Sequence, residues 1–114
     1  MIHPGQIVVF RFPQTDKPEG KLRPALVIDK VPGKYDDWLI CMVSSQVDRY
    51  IEGFDDIIGD DHDDFKQSGL KIASVICPGR LAVVEKRILA GAIGSISSDR
   101  LRVLKQRLCQ WLGR

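Results

Sequence analysis

The period of the apolar residues changes once along this chain, and no other feature limits its fold as much. Up to about Ile96 the apolar runs are a few residues long, rich in Val, Ile and Phe, and cut by proline, glycine or clustered acids. Such runs suit short strands and are too short for ordinary helices. Beyond Ser98, Leu101, Leu104, Leu108, Trp111 and Leu112 return at intervals of three and four, the spacing of an amphipathic helix. Ser98 or Ser97 is a ready N-cap, and Asp99 suits the positive end of the helix dipole. The apolar stripe of this helix is expected to close the open side of a sheet or to form a dimer seam. Its Arg100, Arg102, Lys105 and Arg107 are expected to turn mostly away from that stripe, toward solvent.

GQIVVFRF, from Gly5 to Phe12, reads as a first strand followed by a polar loop. Pro24 lacks an amide proton and disfavours helix at Arg23, so a second strand is expected to begin with ALVI and to hold Arg23 extended at its entry. WLICMV, from Trp38 to Val43, is a third strand ending at Ser44-Ser45-Gln46. A short strand around Asp55 to Ile58 precedes a polar loop. Two further short strands, near Ser74 and Leu81, flank a turn at Pro78-Gly79, and AGAIGSI is a last strand or turn. Five to seven short strands with one terminal helix predict a mainly β fold: one domain over residues 1–114, built as a small antiparallel sheet or barrel.

No apolar run approaches the roughly 20 residues of a membrane helix, and MIHPGQ has no signal-peptide pattern, so a cytoplasmic protein without membrane attachment is expected. Cys41, Cys77 and Cys109 are odd in number and widely spaced, which fits reduced, mostly buried thiols. The chain has no glycine-rich phosphate loop, and Ser44 and Ser45 lack a G-x-S-x-G context. DDHDD lacks the spacing of a known metal loop. Neither a cofactor nor a metal is implied. Seven of the fifteen acids lie between Glu52 and Asp64 with no Lys or Arg among them, leaving seventeen basic against eight acidic residues elsewhere. A basic body of this kind is a footprint for a polyanion. Arg23 is then either an edge charge or a recognition group. Its planar fork of donors matches phosphate, and the hydroxyls and amide of Ser44, Ser45 and Gln46 can orient phosphate and sugar oxygens.

The order G-Q-I-V-V-F, R-P-A-L-V-I after a polar loop, S-S-Q, then G-L-K-I-A-S-V-I and L-A-V-V-E-K-R-I-L before a terminal helix resembles the MazF/PemK toxin family of type II toxin–antitoxin systems, from about Gly5 to Leu112. The resemblance implies a small SH3-like barrel of the CcdB/PemK type, five to seven antiparallel strands with a C-terminal helix, acting as a homodimer. It implies cleavage of single-stranded RNA at short sequences without a metal. The RNA's own 2′-OH would attack phosphorus to leave a 2′,3′-cyclic phosphate and a 5′-OH, and an antitoxin with a flexible acidic tail would silence the enzyme. Arg23 matches the family's catalytic arginine, which would stabilise the phosphorane and protonate the leaving oxygen. Ser44 and Ser45 match its hydroxyl pair and Gln46 its glutamine, with Arg80, Glu19 and Lys21 as further substrate-binding residues. The family's arginine and carboxylate in the following strand align with Cys77 and Gly79, so neither side chain is present here. An alternative implied by the related CcdB group is a catalytically silent module that binds DNA gyrase or another protein.

Overall fold

The computed structural model describes the backbone of residues 1–14 and 17–114 and the side chains of residues 1–11 and 22–114; the side chains of Glu19 and Lys21 therefore lie outside the described residues. Six strands, β1 (Gln6–Gln14), β2 (Lys17–Lys30), β3 (Asp37–Ser44), β4 (Asp56–Ile58), β5 (Ser74–Glu85) and β6 (Gly91–Ser95), pair antiparallel in the order β4-β5-β3-β2-β1-β6. The sheet curls into a half-barrel. A four-residue helix α1 (Phe65–Ser68) and the terminal helix α2 (Ser98–Leu112) complete the fold. The predicted mainly β architecture with one C-terminal helix is what forms.

Alternation along the strands gives the sheet two apolar faces. On one, Ile7, Leu26, Cys41, Val43 and Ile76 meet Leu104 and Leu108 of α2; on the other, Val8, Phe10, Ala25, Val27, Trp38 and Ile40 form a second cluster. Burying two leucines of α2 at 2% and 6% exposure contributes about 3–6 kcal/mol of transfer free energy before entropy is counted. Ser97 starts the helix: its Oγ accepts the Arg100 amide at 3.1 Å, a cap that contributes about 1 kcal/mol. Among the cysteines, Cys41 is buried, Cys77 half-buried and Cys109 exposed, so the expectation of buried thiols holds only in part.

Two expectations about the strands change. Arg23 does not stand at a strand entry, because β2 begins at Lys17 and pairs with β1 through Lys21, Leu22 and Arg23. Pro24 is tolerated inside the strand because the ladder to β3 begins only at Ala25, so β2 has a single neighbour at Pro24, the edge setting that proline allows. Pro78-Gly79 is not a turn between two strands. β5 runs through it, and the pairing jumps from Met42↔Cys77 to Cys41↔Leu81, so residues 78–80 are carried in a bulge.

The basic side chains of α2 also behave otherwise than predicted. Arg100 and Arg107 turn back onto acids and carbonyls of the acidic segment, which folds against the helix, and Lys105 onto Asp29 of β2.

Where α1 crosses β6, two glycines let the backbones touch. A Cβ on Gly94 would overlap the main chain of Gln67 and Ser68, and one on Gly69, at φ 76°, would overlap the Ile93 carbonyl. Backbone cannot yield as a flexible side chain can. Gly94→Ala is therefore expected to cost about 2–3 kcal/mol, read as a lower urea midpoint with an unchanged slope.

Candidate active site

One end of the second sheet face, beyond its apolar cluster, is left open as a cleft of about 670 Å³. The register builds its floor. Ala25 lies across from Met42, and Met42 across from Cys77. Two residues further along β2 and β3 the same side of the sheet carries Arg23 and Ser44, both of which line the cleft. Asp56 pairs with Ile76, so the preceding residue, Asp55, comes abreast of Cys77 at the outer edge. Cross-strand neighbours share a face, and residues far apart in the chain thus become one surface.

Four of the residues singled out from the sequence meet here: Arg23, Ser44, Gln46 and Arg80. Ser44 Oγ accepts the Gln46 amide at 3.1 Å, a local turn bond of the kind serine favours, and it sets how Gln46 leaves the strand. Arg80 reaches the cleft from the bulge in β5. Ser45 is exposed and is not among the residues that line the cleft. Ser45 lies just past the end of β3, where the chain bends away.

Sequence reasoning missed Arg49, Phe54 and Asp55, which also line the cleft. Arg49 closes the 3₁₀ turn Val47–Arg49. Asp55 is 4% exposed, and its Oδ2 accepts the Ile51 amide at 3.0 Å. A signal for Asp55 was present in the alternation of FDDII, which puts Asp55 and Ile57 on one face and Asp56 and Ile58 on the other, but nothing in the sequence told which face the cleft would use.

Among the described residues, three guanidinium groups against one carboxylate make the cleft lining cationic. Burial raises the Cys77 thiol above its ordinary value, Asp55 adds to that rise and Arg80 offsets part of it. On the other face of the sheet, burial pushes the Cys41 thiol far up, with Cys77 and Asp55 adding to it. Neither sulfur is a thiolate at neutral pH, so nucleophilic cysteine chemistry is not what this cleft offers. It offers forked donors, a hydroxyl, a carboxamide and a carboxylate, a set suited to binding a phosphodiester and moving its protons.

Behind the cleft, α2 fixes the acidic segment. Arg107 Nη1 donates to the Asp55 carbonyl at 2.6 Å, and Trp111 meets the Phe54 ring edge-on at 5.3 Å. Arg100 donates to Asp64 through Nε at 2.8 Å and Nη2 at 3.0 Å and to Asp56 through Nη1 at 2.6 Å. Segment 52–64 is thus folded into the body through Asp55, Asp56 and Asp64.

The family model for the PemK-like, MazF-like toxin of type II toxin–antitoxin systems matches residues 3–112. No curated protein matches the chain. Among solved structures, a MazE–MazF assembly from Deinococcus radiodurans superposes with a TM-score of 0.73 at 22% identity, covering 98% of this chain and 96% of that one. The Mycobacterium tuberculosis toxin MazF-mt6 gives 0.67 at 14% identity, covering 95% and 96%. An endoribonuclease in complex with its cognate antitoxin from a mycobacterial species gives 0.68 at 13% identity, covering 99% and 96%. At these identities the likeness is one of fold.

Proposed function

The chain belongs to the PemK-like, MazF-like family of toxins of type II toxin–antitoxin systems, and from that premise we propose that it is a metal-independent endoribonuclease that cleaves single-stranded mRNA at short sequences. The observation that carries this reading is the convergence of Arg23, Ser44, Gln46 and Arg80 on one cationic cleft. The 2′-OH attacks the adjacent phosphorus, and the products are a 2′,3′-cyclic phosphate and a 5′-OH. Arg23 and Arg80 bind the scissile phosphate and meet the charge that develops on the phosphorane. Ser44 orients a phosphate oxygen and Gln46 contacts the RNA. Phe54 and Ile51 give the cleft apolar surface on which an unpaired base can rest.

The partners follow the same chemistry. An antitoxin with a flexible acidic tail competes for the arginines that bind RNA, and the toxin acts in the cytoplasm as a homodimer. Incubated in excess EDTA with a long, sequence-diverse RNA, the purified protein is expected to cut at a restricted set of sites and to leave cyclic phosphate ends. RNA left intact under these conditions, with inhibited gyrase supercoiling, moves the chain to the gyrase-binding class instead.

A further inference from the structure

Positions 79 and 55 compete for the same corner of the cleft. A Cβ on Gly79 would come within 3.0 Å of Phe54 Cε2, so the Phe54 ring occupies the space into which a side chain at 79 would extend. That ring is fixed from behind by Trp111, and the Asp55 carbonyl that follows it is fixed by Arg107. The same placement puts Asp55 in the lining of the cleft, abreast of Cys77. Its Oδ2 is taken by the Ile51 amide, and among the described residues nothing hydrogen-bonds Oδ1. No other carboxylate is among the residues described as lining the cleft.

We infer that Asp55 is the general base of the cleavage reaction, supplying from β4's edge the carboxylate that β5 cannot carry at Gly79. This rests on the endoribonuclease reading. Asp55 Oδ1 takes the proton of the attacking 2′-OH as O2′ bonds to phosphorus. The P–O5′ bond breaks, and its electron pair leaves on O5′. That oxygen takes a proton from cleft water, and the hydroxide so formed is neutralised by the proton on Asp55. Asp55 shares the cleft with Arg23 of β2, Arg49 of the 3₁₀ turn and Cys77 and Arg80 of β5, and its charge is felt by Cys77 and by Cys41 on the other face of β3.

Single-turnover cleavage across pH, in EDTA, tests the assignment. Asp55→Asn keeps an oxygen for the Ile51 amide and is expected to slow cleavage about 10²-fold, with loss of the acid limb, the acid-side fall in rate that the assignment predicts for the wild type. Its affinity for an RNA carrying 2′-deoxy at the scissile nucleotide stays equal or rises, because a negative charge leaves a cationic cleft. Asp55→Glu, which retains a carboxylate, keeps the acid limb at a reduced rate. A wild-type rate in Asp55→Asn, or a slow rate with the acid limb intact, overturns the assignment while leaving the endoribonuclease reading in place. Failure of the wild type to cut any RNA overturns both.

Discussion

Arg23→Ala is expected to lower the rate of RNA cleavage about 10³-fold, the loss that follows removal of a preorganised donor aimed at developing charge. Arg23 and Ser44 both line the cleft, and a guanidinium there can offer two parallel donors to a phosphodiester. The phosphorane carries one more negative charge than the ground-state phosphate, so the interaction grows as the reaction proceeds. Cleavage kinetics separate this from simple binding: kcat falls while KM changes little. A raised KM with an unchanged kcat would reassign Arg23 to holding the substrate. Arg23→Lys is expected to recover only a small part of the rate, since a single ammonium cannot reproduce the fork. Arg23 is partly exposed beside Pro24, and both variants should unfold near the wild-type midpoint.

The second large effect concerns stability and lies on the opposite face of the sheet. Arg100→Met is expected to cost about 3–5 kcal/mol, because it strands Asp64, whose side chain is 6% exposed, and takes a partner from Asp56 at 23%. Burial by itself raises the Asp64 carboxyl, but the hydrogen bonds from Arg100 and the Ser97 amide outweigh it and bring the group down to about 2. A depressed carboxylate contributes stability that is present above its unfolded value of about 3.8 and lost as pH falls through 2, here roughly 2 kcal/mol. Urea unfolding of the wild type should therefore weaken between about pH 4 and pH 2. In Arg100→Met the charged form of Asp64 is no longer favoured, so this acid-side loss disappears. Adding Asp64→Asn to Arg100→Met should recover part of the stability, since the stranded charge is gone. Equal cost in the single and double variants would mean that packing, not charge, makes Arg100 necessary.

Much of this architecture was legible from local pattern. β1, β3 and α2 announce themselves through alternation, β-branched composition, a serine cap and three-to-four spacing, which report on a residue's near neighbours along the chain. R-P-A-L-V-I was legible as extended chain because proline constrains its own φ and the residue before it. The start of β2 at Lys17 was not, because polar residues there are held by pairing with β1 rather than by their own preference. The same holds for β5, where Pro78-Gly79 reads locally as a turn and is absorbed as a bulge by the ladder to β3.

The basic face of α2 shows the limit most plainly. By composition Arg100 is one of four similar cations on a solvated helix face, and only the folded acidic segment makes it the centre of a buried network. Asp55 was likewise one acid among seven.

By itself the amino-acid sequence determined the strand-rich class, the terminal helix, the basic body and the candidate arginine, because these depend on residue chemistry and on spacings of a few residues. The tertiary structure decided which side chains share a cleft: Arg23, Ser44, Arg80 and Asp55 meet only after antiparallel register aligns β2, β3, β5 and β4. Register is a property of pairs of strands distant in the chain, and a shift of one residue would send each of these groups to the other face of the sheet.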